Sequence, residues 1–283
     1  MTAKLIPVLL GALCCAAGLA AEDTILYVEQ DYSIVKQNKA GLDAKDIRQK
    51  LYLTKDAVLI EEYAGASAQP TEAYLIDFKK QQIVNLDYSN TVYTSESFDE
   101  RRERIEERKL KVLRDLDNLI EGKQKEQTRR LYRALLDDER KFKIERPKEE
   151  AEKELAGVKA ERVQILDESD PKYVPFEAWL HPDDEVPYDN AEVLYLMQII
   201  GPNMAKFLKE NKSVFRRLPL ELNLNLPVGG SLHTKVVKVE SVSARKFKPD
   251  LYEIPKGFQP KKLDPAPAQK TAEPATKTEK VPD

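Results

Sequence analysis

The chain is poor in the residues that most often carry out catalysis. It has only two cysteines and two histidines among 283 residues. Both cysteines, Cys14 and Cys15, lie in an N-terminal segment that we expect to be removed, so the mature protein would lack disulfides, thiolate nucleophiles and thiolate metal sites. Two histidines cannot form a three-histidine zinc site. A Gly-x-Ser-x-Gly elbow and a Gly-rich phosphate loop are also missing. The sequence therefore predicts no enzyme, no cofactor and no metal.

Long apolar runs are scarce as well. Residues 1–21 combine Lys4, a short apolar run over 5–13 and small residues up to Ala21, which is the pattern of a secretory signal peptide. The run is too short to span a bilayer as a helix. We expect an exported protein, periplasmic or secreted, that does not span the membrane after cleavage. An uncleaved anchor is the alternative.

The chain also has no large excess of positive or negative charge. The 46 basic and 49 acidic residues leave a net charge of −3, although 34% of the chain is charged. The signs are interleaved, so no basic footprint for nucleic acid is present. The same mixture disfavours binding to a membrane surface through a charged helix. No nucleic-acid partner is expected.

The rest of the sequence shows two kinds of periodicity, one typical of strands and one typical of helices. Period-two alternation, typical of strands, dominates residues 24–96 and returns after Gly157. Its clearest case is 218–226, where every second residue is leucine, followed by a hairpin through 232–242. The run Tyr74 to Phe78 and the run Gln82 to Leu86 also form a predicted hairpin. These patterns predict an α+β fold built on an antiparallel sheet.

Helical signals interrupt this sheet twice. Ser97 and Glu100 form a capping box, which starts a charged helical insertion over 97–156 with a short third helical segment at Lys148 to Leu155. Its narrow apolar stripe comprises Ile105, Val112, Leu116, Leu119 and Ile120. A helix pair over 189–211 carries a second stripe. We expect one domain over 22–258 and a disordered Pro/Ala/Lys/Thr/Glu tail over 259–283.

Three residue groups could carry chemistry, and each has a structural alternative. His181 with Asp183, Asp184 and Glu185 could bind a hard metal, but the spacing of a known calcium loop is missing and a solvated acidic approach to a helix is favoured. His233 stands alone, without a partner for general-base catalysis. Trp179, Phe176 and Tyr173 could form a sugar platform, although packing in the core is favoured.

Four stretches resemble a family of secreted bacterial proteins with a lipoprotein-carrier-like (LolA-like) half-barrel. They are residues 73–83 (AYLIDFKKQQI), 90–94 (NTVYT), 176–180 (FEAWL) and 252–258 (YEIPKGF). The resemblance covers 24–96 and 157–258. It implies a curved antiparallel sheet that encloses an apolar groove plugged by helices. Relatives of this fold bind acyl chains or sense misfolded or lipidated envelope components, and the family supplies no catalytic residues.

The leading hypothesis is therefore a non-enzymatic protein that binds a lipid, an acyl chain or a lipidated partner in the groove. The expected ligand-binding residues lie on the sheet and on the helices that plug it, and they are Leu196, Met197, Ile200, Leu220, Leu222, Leu224, Val237 and Val239. The alternative is an envelope protein that docks a protein partner through the helical arm 98–138. In that case the stripe on the arm would face the partner, whereas packing of the stripe on the protein's own sheet would remove that surface.

Overall fold

The computed structural model describes residues 24–38, 41–132, 135–138, 140–170, 173–228 and 231–263. The predicted signal peptide lies outside these residues, and so does the predicted tail from residue 264 onward. Strands dominate the described part. They are β1 (Thr24–Asn38), β2 (Gly41–Leu53), β3 (Ala57–Ala64), β4 (Glu72–Asp77), β5 (Gln82–Asp87), β6 (Val92–Ser97), β7 (Phe142–Glu145), β8 (Glu152–Leu155), β9 (Val158–Asp167), β10 (Phe176–Glu185), β11 (Arg217–Val228), β12 (Ser231–Lys246) and β13 (Gln259–Pro260).

The helices occupy two regions of the chain. They are α1 (Phe98–Asp117), α2 (Lys123–Leu131), α3 (Asn190–Leu196), α4 (Pro202–Glu210) and α5 (Lys212–Phe215), with a 3-10 turn at Pro249–Tyr252. The predicted capping box at the start of α1 is confirmed, because the Ser97 side chain accepts from the Glu100 amide and the Glu100 carboxylate accepts from the Ser97 amide. The expected helix pair over 189–211 consists of three short helices that extend to Phe215.

The strands form one sheet in the order β13-β6-β5-β4-β3-β2-β1-β12-β11-β10-β9-β7, with β8 also paired to β9. Every pairing is antiparallel except that of β13 with β6. β1 joins the two halves, since it pairs with β2 on one side and β12 on the other. The predicted class is thereby confirmed in outline: a large, open, curved and mostly antiparallel sheet with a few helices.

One face of this sheet, the inner face, carries most of the core. Leu218, Leu220, Leu222 and Leu224 of β11 are all buried there, as their period-two spacing predicts. Two buried clusters adjoin along that strand. The first cluster includes Leu26, Val28, Leu53, Val58, Ile76, Phe98, Leu196, Leu218, Leu220 and Val239. The second cluster includes Val163, Ile165, Phe176, Ile200, Met204, Leu208, Phe215, Leu222, Leu224 and Val237.

The insertion at 97–156 is not wholly helical, contrary to the sequence-based prediction. The segment expected to form a third helix from Lys148 to Leu155 contains strand β8, which forms a hairpin with β9. The connecting residues Ala156 and Gly157 both have positive φ, 49° and 79°. A two-residue hairpin turn of this kind matches the twist of the flanking strands. The Ala-Gly pair is a weak form of the Asn-Gly signal, and this is why the hairpin escaped prediction.

Helix α1 is also shorter than its predicted stripe. It ends at Asp117, with Asn118 as the C-cap residue. Ile105, Val112 and Leu116 are buried, as the stripe predicts, but Ile120 lies beyond the helix end and is 90% exposed. The 3.6-residue periodicity applies only as far as the helix continues. The part of the apolar stripe that lies on α1, from Ile105 to Leu116, is therefore covered by the protein itself.

Residues 251–258, near the end of the described part, pack on the opposite, outer face of the sheet. Leu251, Tyr252 and Phe258 pack against a buried outer cluster formed by Ala57, Leu59, Ala73, Leu75, Val84 and Leu86. The prediction that order ends at Phe258 is wrong for Gln259–Pro260, which form β13. The amide of Gln259 donates to the Thr91 carbonyl at 3.1 Å, so the sheet edge itself orders these residues.

Candidate ligand-binding site

The structure brings the eight predicted ligand-binding residues together. Leu196, Leu220 and Val239 belong to the first cluster, and Met197 packs against it. The remaining four, namely Ile200, Leu222, Leu224 and Val237, belong to the second cluster. All except the partly buried Met197 are at most 9% exposed. The sheet and helix residues thus lie in two buried clusters that adjoin along β11 and together form the apolar region beneath the helices.

Helices α3 to α5 fill that region, and we call residues 190–215 the helical cover. The cover buries Val193 and Leu196 in the first cluster and Met204, Leu208 and Phe215 in the second. Aromatic contacts add to this packing. The rings of Phe215 and Phe176 meet edge-on with centroids 5.7 Å apart, within the range of favourable aromatic pairs. The side of the cover that faces the sheet is therefore apolar.

The attachments of the cover to α1 are polar. The Arg101 Nε donates to the Leu196 carbonyl at 2.8 Å, and the Arg108 guanidinium donates to the Gln198 amide oxygen at 2.8 Å. The Arg102 guanidinium pairs with the Glu192 carboxylate at 2.7 Å. Glu192 also pairs with Lys209 of α4. These two ion pairs hold the pKa of Glu192 below its ordinary value against the opposing effect of burial, so it is ionised at neutral pH.

A buried carboxylate anchors the start of α4. Gly201 is the N-cap residue of α4 and supplies no side-chain acceptor. The missing acceptor is supplied from outside the helix by the carboxylate of Asp137, a residue that is 2% exposed. Its two carboxylate oxygens accept from the amides of Asn203, at 3.1 Å, and Met204, at 2.8 Å. Burial raises the pKa of Asp137 to about 6, although the two amide donors favour the ionised form.

The link between α3 and α4 holds a strained residue. Gln198 has φ 56°, in the left-handed region that costs a non-glycine residue about 1 kcal/mol. Its side chain is the acceptor for Arg108, described above. Below this link, Ile200 and Leu224 line a small cavity of about 30 Å³ together with Asp137. Such a volume is close to that of one water molecule.

A larger cavity of about 460 Å³ lies beside the cover, where it meets the turn between β2 and β3. The lining residues come from that turn, from the segment before α3 and from all three cover helices: Lys55, Pro187, Tyr188, Asp189, Asn190, Ala191, Leu208, Lys209, Lys212, Phe215 and Arg216. Three of them belong to the second cluster, and Tyr188 packs against the first. The cavity therefore borders the apolar region that contains the eight predicted residues, although none of the eight lines it.

Sequence reasoning missed this cavity because its residues carry no shared local pattern. Lys55 follows strand β2, whereas Lys212 begins α5, about 160 residues later in the chain. Each is a single lysine in a sequence where one residue in three is charged. Only the packing of the cover against the β2–β3 turn brings the two lysines to one cavity.

The other predicted site residues serve structural roles. His181 Nδ1 accepts from the amides of Asp183, at 3.2 Å, and Asp184, at 2.8 Å, so this nitrogen is engaged by its own segment. No group of three or more His, Cys, Asp or Glu in the described residues could hold a metal ion. Phe176 and Trp179 are buried, which confirms their packing in the core. The side chain of His233 lies outside the described part of the structure.

Comparisons with known proteins give no family. No family model matches the chain, and no curated protein gives a significant match. None of the helices in the described segments has the length and apolar character needed to cross a membrane.

Several solved structures are similar to this chain at low identity and low TM-score. The similarity to a LolA superfamily protein from Nitrosomonas europaea covers 82% of this chain and 91% of that protein, with 9% identity and a TM-score of 0.30. For a DUF1329 family protein from Desulfovibrio piger the shares are 82% and 91%, at 10% identity and a TM-score of 0.31. For PNGF-II they are 85% and 31%, at 14% identity and a TM-score of 0.33, so the chain spans about a third of that protein.

Proposed function

We propose that the protein is an exported, non-enzymatic binding protein that holds the apolar chain of a lipid or lipidated partner against the inner face of its sheet, beneath the helical cover. One observation carries this proposal. The cover contacts the sheet through apolar side chains, whereas it is attached to α1 and to Asp137 through hydrogen bonds and ion pairs.

The two kinds of contact respond differently when the cover lifts. The partly exposed ion pairs exchange their partners for water at a cost of about 0.2–1 kcal/mol each. Each large apolar side chain of the cover loses about 1.5–3 kcal/mol on exposure to water. Opening is therefore rare in water, but an apolar ligand that covers the inner face restores the lost burial. Such a ligand shifts the population toward the open state.

The polar groups nearest the apolar region support binding over catalysis. Asp137 is engaged by two backbone amides, and Glu192 by Arg102 and Lys209. In the described residues the lysine beside Glu192, Lys209, is its ion-pair partner, and no serine or histidine contacts either carboxylate as a nucleophile and base would. These groups position helices, which leaves the apolar side chains of the inner face as the proposed surface for the ligand's chain.

Docking of a protein through the arm 98–138 is less well supported. The stripe that would face such a partner, Ile105, Val112 and Leu116, is buried in the protein itself. Leu110 and Leu113 are the partly exposed apolar residues on the other side of α1. Two leucines form a small patch, and single exposed apolar residues are common on protein surfaces.

The first test is native mass spectrometry of the mature protein purified from its own export route, followed by organic extraction. We expect a co-purifying apolar molecule of defined mass, or uptake of a fluorescent acyl probe by the delipidated protein. A ligand-free mass together with no probe uptake would exclude the proposed function.

A second test asks whether the ligand enters beneath the cover. Glu192→Gln weakens the Arg102 pair, which joins the cover to α1, by about 0.5 kcal/mol after allowance for solvent screening. The Lys209 pair lies within the cover and does not oppose its opening. Because the open state then becomes more populated, the acyl probe should bind about twofold more tightly. The matched control is Glu210→Gln, which removes a carboxylate on α4 whose lysine partner lies 3.9 Å away on the same helix. Equal probe affinity in wild type and Glu192→Gln would place the ligand elsewhere.

A further inference from the structure

The 460 Å³ cavity beside the cover has an unusual charge balance for this chain. Among the described residues, four cations line it, Lys55, Lys209, Lys212 and Arg216, against one carboxylate, that of Asp189. In the whole sequence acidic residues outnumber basic ones, 49 to 46. The cavity therefore concentrates positive charge in a protein that is weakly acidic overall, and a cavity of one sign attracts ligands of the other.

Two of the four cations are already neutralised. Lys209 pairs with Glu192, and with Asp189 at 3.6 Å, while Arg216 pairs with Glu185 at 3.4 Å. Lys55 and Lys212 differ, because neither makes an ion pair or side-chain hydrogen bond within the part of the chain that the structure describes. These two uncompensated ammonium groups come from separate elements and meet at one cavity.

The remainder of the lining is apolar. Ala191, Leu208 and Phe215 form a wall that is continuous with the second buried cluster. The ring of Tyr188 stacks on Phe78 with centroids 6.1 Å apart, and its hydroxyl has no hydrogen-bond partner among the described residues. Burial raises the pKa of Tyr188, so its hydroxyl stays protonated and can donate. The volume lies within the range of small-molecule sites, about 300–1,000 Å³.

We propose that this cavity binds the head group of an amphipathic anion: Lys55 and Lys212 hold the carboxylate or phosphate, and the first carbons of the chain lie on Leu208 and Phe215. This inference rests on the proposed function, because the rest of the chain would continue beneath the cover. It names the ligand class, which the apolar inner face alone does not. A neutral lipid would satisfy the inner face but would leave both ammonium groups without a partner.

The test compares three ten-carbon ligands that differ only in the head group, with inorganic phosphate as the head group without a chain. The delipidated mature protein is titrated calorimetrically with decanoate, decyl phosphate, decanol and inorganic phosphate. We expect both ten-carbon anions to bind more tightly than decanol, and this difference should shrink in high salt because exposed charges are screened. The preference between the two anions identifies whether the natural head group is a carboxylate or a phosphate.

The variants then assign the preference to the two lysines. Lys55→Gln combined with Lys212→Gln should weaken the affinity for both anions by about tenfold and leave the affinity for decanol unchanged. Lys55→Arg combined with Lys212→Arg should keep the affinity for both anions near that of wild type. Lys206→Gln is the matched control, since this exposed lysine of α4 pairs only within its helix, 3.9 Å from Glu210, and does not line the cavity. Thermal unfolding of all variants should match wild type, because the replaced side chains are exposed.

The outcomes separate this inference from the proposed function. If decanol binds as tightly as the anions, or if the double glutamine variant binds all ligands as wild type does, the head-group site is refuted while the binding function stands. If inorganic phosphate binds as tightly as decyl phosphate, the apolar wall has no role and the amphipathic ligand class is refuted. If no ten-carbon ligand binds, the proposed function fails together with the inference.

Discussion

Replacing Asp137 with asparagine tests how the cover is anchored. Asp137 is buried and accepts from two amides in the first turn of α4, and an asparagine of the same shape has only one acceptor oxygen. The substitution also removes the ionisable group. The stability of wild type and variant should therefore differ in a way that depends on pH.

The sign and size follow from the pKa of Asp137. Folding raises this pKa from 3.8 to about 6, with burial as the largest cause and the Asp138 charge as a smaller one. As pH rises from about 4 to 6, the unfolded chain loses the proton first, so the unfolded state binds fewer protons and stability falls. At 1.36 kcal/mol per pH unit this loss reaches about 3 kcal/mol near pH 6 and stays constant above it. The stabilising contribution is complete only below about pH 4.

The assay is urea unfolding followed by circular dichroism at a series of pH values from 3.5 to 7.5. The quantity of interest is the free energy of unfolding of wild type minus that of Asp137→Asn, because carboxylates common to both proteins cancel. This difference should fall between pH 4 and 6. The control is the exposed neighbour Asp138. Between pH 4 and 6 the free energy of unfolding of Asp138→Asn should fall by largely the same amount as that of wild type, because this variant keeps Asp137. A difference that is flat or rises over this interval would refute the assignment.

Four further substitutions, the last of them a control, test other parts of the fold by thermal or urea unfolding. Ala156→Asn should stabilise the β8–β9 hairpin by about 1 kcal/mol, because asparagine tolerates the positive φ better than alanine does, and a lower unfolding temperature would contradict this turn geometry. Tyr252→Phe should be neutral or stabilising by up to about 1 kcal/mol, since the buried hydroxyl has no partner among the described residues; a clear loss would show that the hydroxyl is bonded. Leu220→Ala should cost about 3 kcal/mol, as Leu220 is 1% exposed, whereas Leu110→Ala at a 49% exposed position should change stability by less than about 0.5 kcal/mol. Equal costs at the two leucines would contradict the burial of β11.

The predictable parts of this fold are those with a local signal. The alternating leucines of β11 identified a strand with one buried face, and the eight predicted site residues do meet beneath the cover because period-two and 3.6-residue stripes each mark an apolar face. The capping box at Ser97 located the start of α1 to the residue. In each case the physical cause lies within a few residues of its effect.

The unpredicted parts depend on contacts between distant segments. Asp137 caps α4 from 66 residues away in the chain. A single aspartate in a highly charged sequence carries no local pattern that would predict this role. Gln259 is ordered by the carbonyl of Thr91, although its own sequence context is that of a disordered tail. The cavity lysines likewise acquire a common environment only when the cover meets the β2–β3 turn. Local patterns hold no information on such pairings.

The seam between β1 and β12 determines the order in which the sheet can be assembled. β1 to β6 and β9 to β12 each form a run of neighbouring strands that can pair soon after synthesis, but Thr24 pairs with Lys246, a separation of 222 residues (246 − 24). A chain that emerges from its N-terminus must therefore keep one edge of its first strand unpaired until its last long strand appears. Unpaired edges of this kind recruit other chains. The two halves of the sheet are thus joined only after β12 has been synthesised, and until then the free edge of β1 is open to pairing with other chains.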